Sequence, residues 1–203
     1  MSLRAKIRGG RKGFTLIELM VSVALLGLVV SNVYMVLADG SRAYGSQTAQ
    51  ADTEMQIRRT LDRIALAVMG ATRETMYITQ EAPWSNTNIN FQSSLGVRNG
   101  VPVPSEPQKI GLTQGEGQQV TWYEKLGAPD ERHVVWAKWV AEFAKGEIPD
   151  NGLDDNGNGL IDEKGLSFDV NGKSVTIRVT MSRPGPDGAL ITRSLESTVT
   201  CRN

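Results

Sequence analysis

Between positions 150 and 163 the chain reads Asp150-Asn-Gly-Leu-Asp154-Asp-Asn156-Gly-Asn158-Gly159-Leu160-Ile-Asp162-Glu163: five carboxylates and three asparagine side chains in fourteen residues. Carboxylates held this close repel one another unless a cation sits among them. The donors in the run are hard oxygens, with no histidine or cysteine, which favours calcium over zinc or copper. The candidate ligands are Asp150, Asp154, Asn156, Asn158, the backbone carbonyl of Leu160, Asp162 and Glu163. The expected role of the ion is to fold the loop, not to catalyse.

Residues 154–159 resemble the opening of an EF-hand loop, Asp-x-Asn-x-Asn-Gly. Oxygens at every second position converge there because the backbone coils around the ion, and Gly159 permits the sharp turn. The pattern then departs. The twelfth position, where that loop carries a bidentate Glu, is Gly165. Asp162 or Glu163 must close the shell, with Asp150 joining from in front. So few charged ligands imply weak binding, on the order of 10⁻⁴–10⁻³ M. The competing reading is an Asn-Gly loop that binds nothing.

Other reactive side chains are sparse. His133 is the only histidine and Cys201 the only cysteine, and neither has a partner that makes a nucleophile or a general base. No Ser-His-Asp arrangement and no phosphate loop occurs, and carboxylates pair only in the acidic run. An enzyme is therefore not expected. One cysteine forms no internal disulfide, so packing, with or without a metal, must hold the fold.

The acidic run lies in a β-rich half, residues 79–203. Leu166–Val170 and Ser174–Ser182 flank Asn171-Gly172, the strongest short-range hairpin signal. Val175, Ile177, Val179 and Met181 alternate with polar residues, so one face is buried. After the Pro184-Gly-Pro-Asp-Gly188 turn, Ala189–Cys201 reads as a last strand. Upstream, Gln119–Lys125 and Arg132–Trp139 read as a hairpin about Gly127-Ala-Pro-Asp130. Val135, Trp136, Trp139, Val140 and Phe143 also fit a helix face, but β-branched and aromatic content favours the hairpin. Trp122, Trp136 and Trp139 are expected in the core or on a sheet face. Asn88–Leu95 is compatible with one strand, while Asn99-Gly100 and Pro102, Pro104 and Pro107 mark loops.

Ahead of this half, residues 39–78 stay helical in pattern. Ile57, Leu61, Ile64, Ala65 and Val68 share one face, and Arg58, Arg59, Asp62 and Arg63 take others. The helix is expected to end between Gly70 and Thr79. The fold class is α+β: one long helix laid on an antiparallel sheet.

Residues 14–38 are 25 residues with one formal charge, Glu18. At about 1.5 Å per residue such a helix spans the roughly 30 Å core of a bilayer. Residues 1–13 hold Arg4, Lys6, Arg8, Arg11 and Lys12 and no acid, which sets the cytoplasmic side. An ordinary secretory signal has its small-residue cleavage site behind the apolar run, but here Gly13 stands in front of it. A lone carboxylate in a membrane helix costs about 2.5–3.5 kcal/mol on insertion scales, so something must compensate Glu18.

The run Gly13-Phe-Thr-Leu-Ile-Glu-Leu-Met-Val-Ser-Val-Ala-Leu-Leu-Gly27 resembles the signal of type IV pilins and pseudopilins. The resemblance implies cleavage after Gly13 by the prepilin peptidase and N-methylation of Phe14. It implies that Glu18 faces the amino terminus of a neighbouring subunit. The ending Val199-Thr-Cys-Arg-Asn203 is similar to PilW-like minor pilins and to J-type pseudopilins of type II secretion. A structural minor pilin acting in initiation or at the tip is the leading expectation. The alternatives are a J-type pseudopilin and a calcium-dependent adhesin carried on a pilus. Expected partners are other pilin or pseudopilin subunits, the peptidase and the inner membrane, with periplasmic or extracellular filament as the final location.

Full-length charge is zero, with 22 basic and 22 acidic residues. Without the five leader cations, 17 basic residues face 22 acidic ones. That balance gives no basic footprint for nucleic acid.

Overall fold

The computed structural model describes residues 13–115 and 117–201. Arg4, Lys6, Arg8, Arg11 and Lys12, expected in a cleaved leader, lie outside the described residues. One helix, α1, runs from Leu16 to Met69, and contacts divide the chain into two units between Tyr44 and Gly45.

In the first unit the apolar side chains from Leu16 to Leu37 are exposed on every face of the helix. This helix is long and apolar enough to cross a membrane; its most apolar window has a mean hydropathy of 2.2 and none of it is buried. Thr15 starts it. Its Oγ1 accepts the N–H of Glu18 at 3.3 Å, and Glu18 Oε2 accepts the N–H of Thr15 at 3.0 Å. This reciprocal pair is a capping box, written in the sequence as Thr-x-x-Glu.

In the second unit the helix buries Ile57, Leu61, Ile64 and Val68, the stripe expected from spacing. Each contributes about 1.5–3 kcal/mol by leaving water. The helix stops at Met69, one residue before the expected range: the Gly70 N–H makes the last i→i−4 bond, to Leu66 O at 3.3 Å, and the Ala71 N–H tightens onto Val68 O at 3.0 Å.

Among the described residues nine strands follow: β1 (Asn88–Phe91), β2 (Ser94–Arg98), β3 (Val101–Pro104), β4 (Gln108–Gly115), β5 (Gly117–Glu124), β6 (Arg132–Val140), β7 (Leu166–Asn171), β8 (Ser174–Pro184) and β9 (Leu190–Thr200). Among the described residues seven of them form one antiparallel sheet, ordered β1-β4-β5-β6-β8-β7, with β9 also on β8. The two halves of the sheet meet at Val140 opposite Met181 and at the Ala141 N–H on Thr180 O, 2.9 Å. Ile89, Phe91, Ile110, Val120, Phe168 and Ile177 point from the sheet into one core with the helix stripe. The α+β arrangement of a pilin-like fold is thus present.

Details differ from expectation. Asn88–Leu95 is not one strand. At Gln92 and Ser93 the backbone turns to the segment after α1, with Gln92 O accepting the Thr72 N–H at 3.0 Å and Ser93 bridging Ala71. Pro102 and Pro104 lie in β3, not in a loop; β3 is an edge of a separate two-stranded sheet, where a missing N–H is tolerated. In that hairpin Leu95, Val97 and Val101 are exposed. β4 begins directly after Pro107, in a stretch for which the sequence suggests no strand. Residues 132–140 form strand, as favoured. Trp122 and Trp136 stack at 5.7 Å against the core, whereas Trp139, at φ +64° where the β5–β6 register shifts, is exposed. The β7–β8 turn is Gly172-Lys173, one residue later than the Asn-Gly pair suggests, since Asn171 pairs with Ser174. Positive φ at Gly172, +59°, with none at Lys173, fits a type II′ turn.

Candidate functional site

The acidic loop hangs between β6 and β7, and its backbone folds around one carboxylate. Asp154 Oδ1 accepts the N–H groups of Gly157 at 2.7 Å and Asn158 at 3.1 Å, and Oδ2 accepts that of Gly159 at 2.7 Å. The Gly159 bond, with those of Gly157 and Asn158, holds the Asp154 carboxyl below the usual aspartate range. Gly157 and Gly159 have φ of +76° and +92°, so their lack of Cβ allows the coil.

The asparagines continue the pattern. Asn156 Oδ1 accepts the Asn158 N–H at 3.0 Å and Asn158 Oδ1 accepts the Leu160 N–H at 2.9 Å. Their amide nitrogens converge on Glu163: Nδ2 of Asn158 lies 2.5 Å and Nδ2 of Asn156 3.4 Å from Oε2. Glu163 is 1 % exposed, and Ser167 Oγ donates to its other oxygen. The Leu160 side chain is buried in the body of the domain.

Of the seven expected ligands, Asp154, Asn156, Asn158 and Glu163 are joined by these hydrogen bonds, and Leu160 joins them through its N–H. Asp162 and Asp150 do not. Asp162 accepts the N–H groups of Asn151 and Gly152, both at 3.0 Å, and staples the front of the loop. Asp150 faces Lys164 at 3.7 Å. Between the two closing carboxylates left open by the sequence, Glu163 is the one beside the asparagines. Gly165 stands at the twelfth position for a steric reason: a Cβ there meets Ala141 O at 2.0 Å.

Sequence reasoning missed Glu147, three residues before the run. Its Oε1 accepts the Asn156 N–H at 3.3 Å, and its Oε2 is buried with no hydrogen-bond partner. Burial raises the Glu147 carboxyl above the ordinary glutamate range; the Asn156 N–H opposes this, and the charges of Asp154, Asp155 and Glu163 add to it. A buried carboxylate oxygen without a partner among like charges is a position that a cation would satisfy. Among the described residues no three His, Cys, Asp or Glu side chains are grouped to hold a metal ion, so a shell at this loop would have to draw on amide and backbone oxygens. That mixture of carboxylate, amide and carbonyl oxygen fits calcium. Arg178, paired with Glu196 at 3.1 Å, lines a neighbouring cavity of about 250 Å³ with Asn156, Asn158 and Glu163 and offsets some of the negative charge.

His133 is exposed beside the Tyr123 ring, with no acid hydrogen-bonded to it among the described residues. Cys201 is buried, its thiol 3.8 Å from Met76 Sδ, and burial pushes the thiol up. Neither is placed for nucleophilic chemistry.

At the other end, Gly13 and Phe14 precede the capped start of α1 and Phe14 is 81 % exposed. Residues 8–31 match the family model for the prokaryotic N-terminal methylation motif. The chain carries that motif. With the membrane-capable helix behind it, the methylation motif supports a type IV pilin-like subunit, a structural class, anchored in a membrane and then in a filament. It likewise supports processing by a peptidase and assembly with other pilin subunits. No curated protein and no solved structure matches the chain.

Proposed function

We propose that this chain is a minor pilin or pseudopilin, cut after Gly13, methylated at Phe14 and built through α1 into a type IV pilus-like filament at its start or tip. The observation that carries the reading is the exposed apolar surface of α1 from Leu16 to Leu37, interrupted by one carboxylate, Glu18. Out of a bilayer such a rod has only other apolar rods to bury it. Glu18 supplies the charge that a neighbour's new amino terminus at Phe14 neutralises. A J-type role in a type II secretion pseudopilus uses the same parts, and the partners distinguish the two.

The test is crosslinking in membranes of cells carrying wild-type or Glu18→Ala protein, with the captured partners identified. Pilus subunits support the minor pilin; other pseudopilins and secreted enzymes support the J-type role. Capture unaffected by Glu18→Ala, or a working form that keeps Met1–Lys12 by mass spectrometry, overturns the filament reading.

Calcium belongs to the same proposal. Asp154, Asn156, Asn158, the Leu160 carbonyl and Glu163 would hold it, with Glu147 as a further carboxylate. The ion supplies positive charge that fixes the loop. Calorimetry on the full chain in detergent should show uptake at about 10⁻⁴–10⁻³ M that Asp154→Ala abolishes. No uptake by wild type ends the calcium reading and leaves the filament reading untouched.

A further inference from the structure

Five Asn-Gly pairs occur in the chain: Asn99-Gly100, Asn151-Gly152, Asn156-Gly157, Asn158-Gly159 and Asn171-Gly172. Asn-Gly is the pair most prone to spontaneous loss of the side-chain amide, because glycine has no Cβ to keep its nitrogen from the preceding side chain. The glycine nitrogen bonds to the asparagine Cγ, the Cγ–Nδ2 bond breaks, and ammonia leaves carrying the glycine proton. Water then opens the cyclic imide to aspartate or isoaspartate.

The structure sorts these pairs into two groups. In the loop, each glycine N–H is held by a carboxylate: Gly152 by Asp162 Oδ2 at 3.0 Å, Gly157 by Asp154 Oδ1 at 2.7 Å, Gly159 by Asp154 Oδ2 at 2.7 Å. Each asparagine is also held at both ends of its amide. Asn151 Oδ1 accepts from Leu153 at 2.8 Å and its Nδ2 donates to Asp155 at 2.7 Å. Asn156 and Asn158 accept from the residue two ahead and donate to Glu163. Attack requires the glycine nitrogen to turn toward Cγ and give up its proton, and these bonds hold both reactants apart. A carboxylate is far too weak a base to take an amide proton, so it restrains without activating.

Asn99-Gly100 and Asn171-Gly172 are the opposite case. Both pairs sit exposed at hairpin turns. Among the described residues, neither glycine N–H and neither asparagine side chain has a hydrogen bond.

We propose that Asn99 and Asn171 are the sites at which this protein deamidates, and that Asp154 and Asp162 protect the three loop asparagines by holding the glycine nitrogens that would attack them. The acidic residues thereby keep the loop's side-chain amides neutral. This inference rests on neither the filament nor the calcium reading.

Ageing of the full chain in detergent at mildly alkaline pH, with chelator present, followed by peptide mapping with mass spectrometry, tests it. Conversion is expected at Asn99 and Asn171, with Asn151, Asn156 and Asn158 at least tenfold slower. Asp154→Ala should open Asn156 and Asn158 while Asn151 stays protected; Asp162→Ala should open Asn151. Chain unfolded in urea should lose all five amides at similar rates, which fixes the intrinsic scale without any variant. Loop asparagines converting as fast as Asn99 in the folded wild type overturn the proposal. So does protection that appears only when calcium is added, or that survives both substitutions.

Discussion

Thr15 and Glu18 hold each other at the start of α1: the Glu18 carboxylate takes the Thr15 N–H at 3.0 Å and its hydroxyl at 2.9 Å, while the hydroxyl takes the Glu18 N–H at 3.3 Å. Glu18 therefore has two separable tasks, closing the helix end and carrying charge. Glutamine can do the first and not the second. Glu18→Gln should preserve helix content and membrane insertion yet lose crosslinking to sister subunits as fully as Glu18→Ala. Thr15→Ala should fray the first turn, at a cost of about 0.5–2 kcal/mol of helix stability, and keep the crosslinks. Membrane fractionation and crosslinking of the three variants separate the tasks.

Gly165 approaches the Ala141 carbonyl so closely that a Cβ meets it at 2.0 Å. The neighbouring atoms are backbone and cannot rotate away. Gly165→Ala should cost at least about 1–3 kcal/mol, the range for overpacking, and lower the thermal midpoint measured by circular dichroism. Gly157→Ala, where space is open but φ is +76°, should be milder.

The loop carboxylates predict a division of labour in metal binding. Glu163→Gln should remove most calcium uptake, because Glu163 stands with Asn156 and Asn158. Asp162→Asn should leave calcium uptake within a few-fold of wild type, because its oxygens serve Asn151 and Gly152. Calorimetry on both variants checks the order.

The metal-free loop should respond to pH in two opposing ways. Asp154 has its carboxyl lowered by backbone N–H groups, so its contribution holds above the ordinary aspartate range and fades as pH falls through the lowered value. Glu147 has its carboxyl raised, first by burial, so its contribution holds below the ordinary glutamate range and fades as pH rises through the raised value. With chelator, amide protection at Gly159 should peak between these two values and fall on either side. Added calcium should abolish the fall on the alkaline side.

The Cys201 thiol, raised by burial, should resist thiol reagents in the folded chain at neutral pH and react fully in urea. Ordinary labelling kinetics with and without denaturant decide this.

Much of this was legible in the residues because it depends on local pattern. The stripe at Ile57, Leu61, Ile64 and Val68 repeats at helical spacing, and Val175 to Met181 alternates. Both periods survive whatever packs on them. What was not legible depends on contacts distant in sequence. Gln92 and Ser93 break a strand because residues after α1 claim their backbone, and the sequence around Asn90 does not record that. β3 hides behind prolines that are harmless only at an edge. In the acidic loop the spacing of Asp154, Asn156 and Asn158 was readable from the coil it must form. Glu147 was not, since its place beside Asn156 comes from the fold of the chain before the motif.

The small β2–β3 sheet shows apolar side chains to solvent, yet half the residues of β3, Val101-Pro-Val-Pro104, lack an N–H. A newcomer chain seeking to zip onto that rim finds gaps where donors should be. Greasy contact through side chains stays available, while strand addition along β3 is starved of donors. Copies of this chain crowded together can thus meet through a sticky hairpin without a ladder growing along β3.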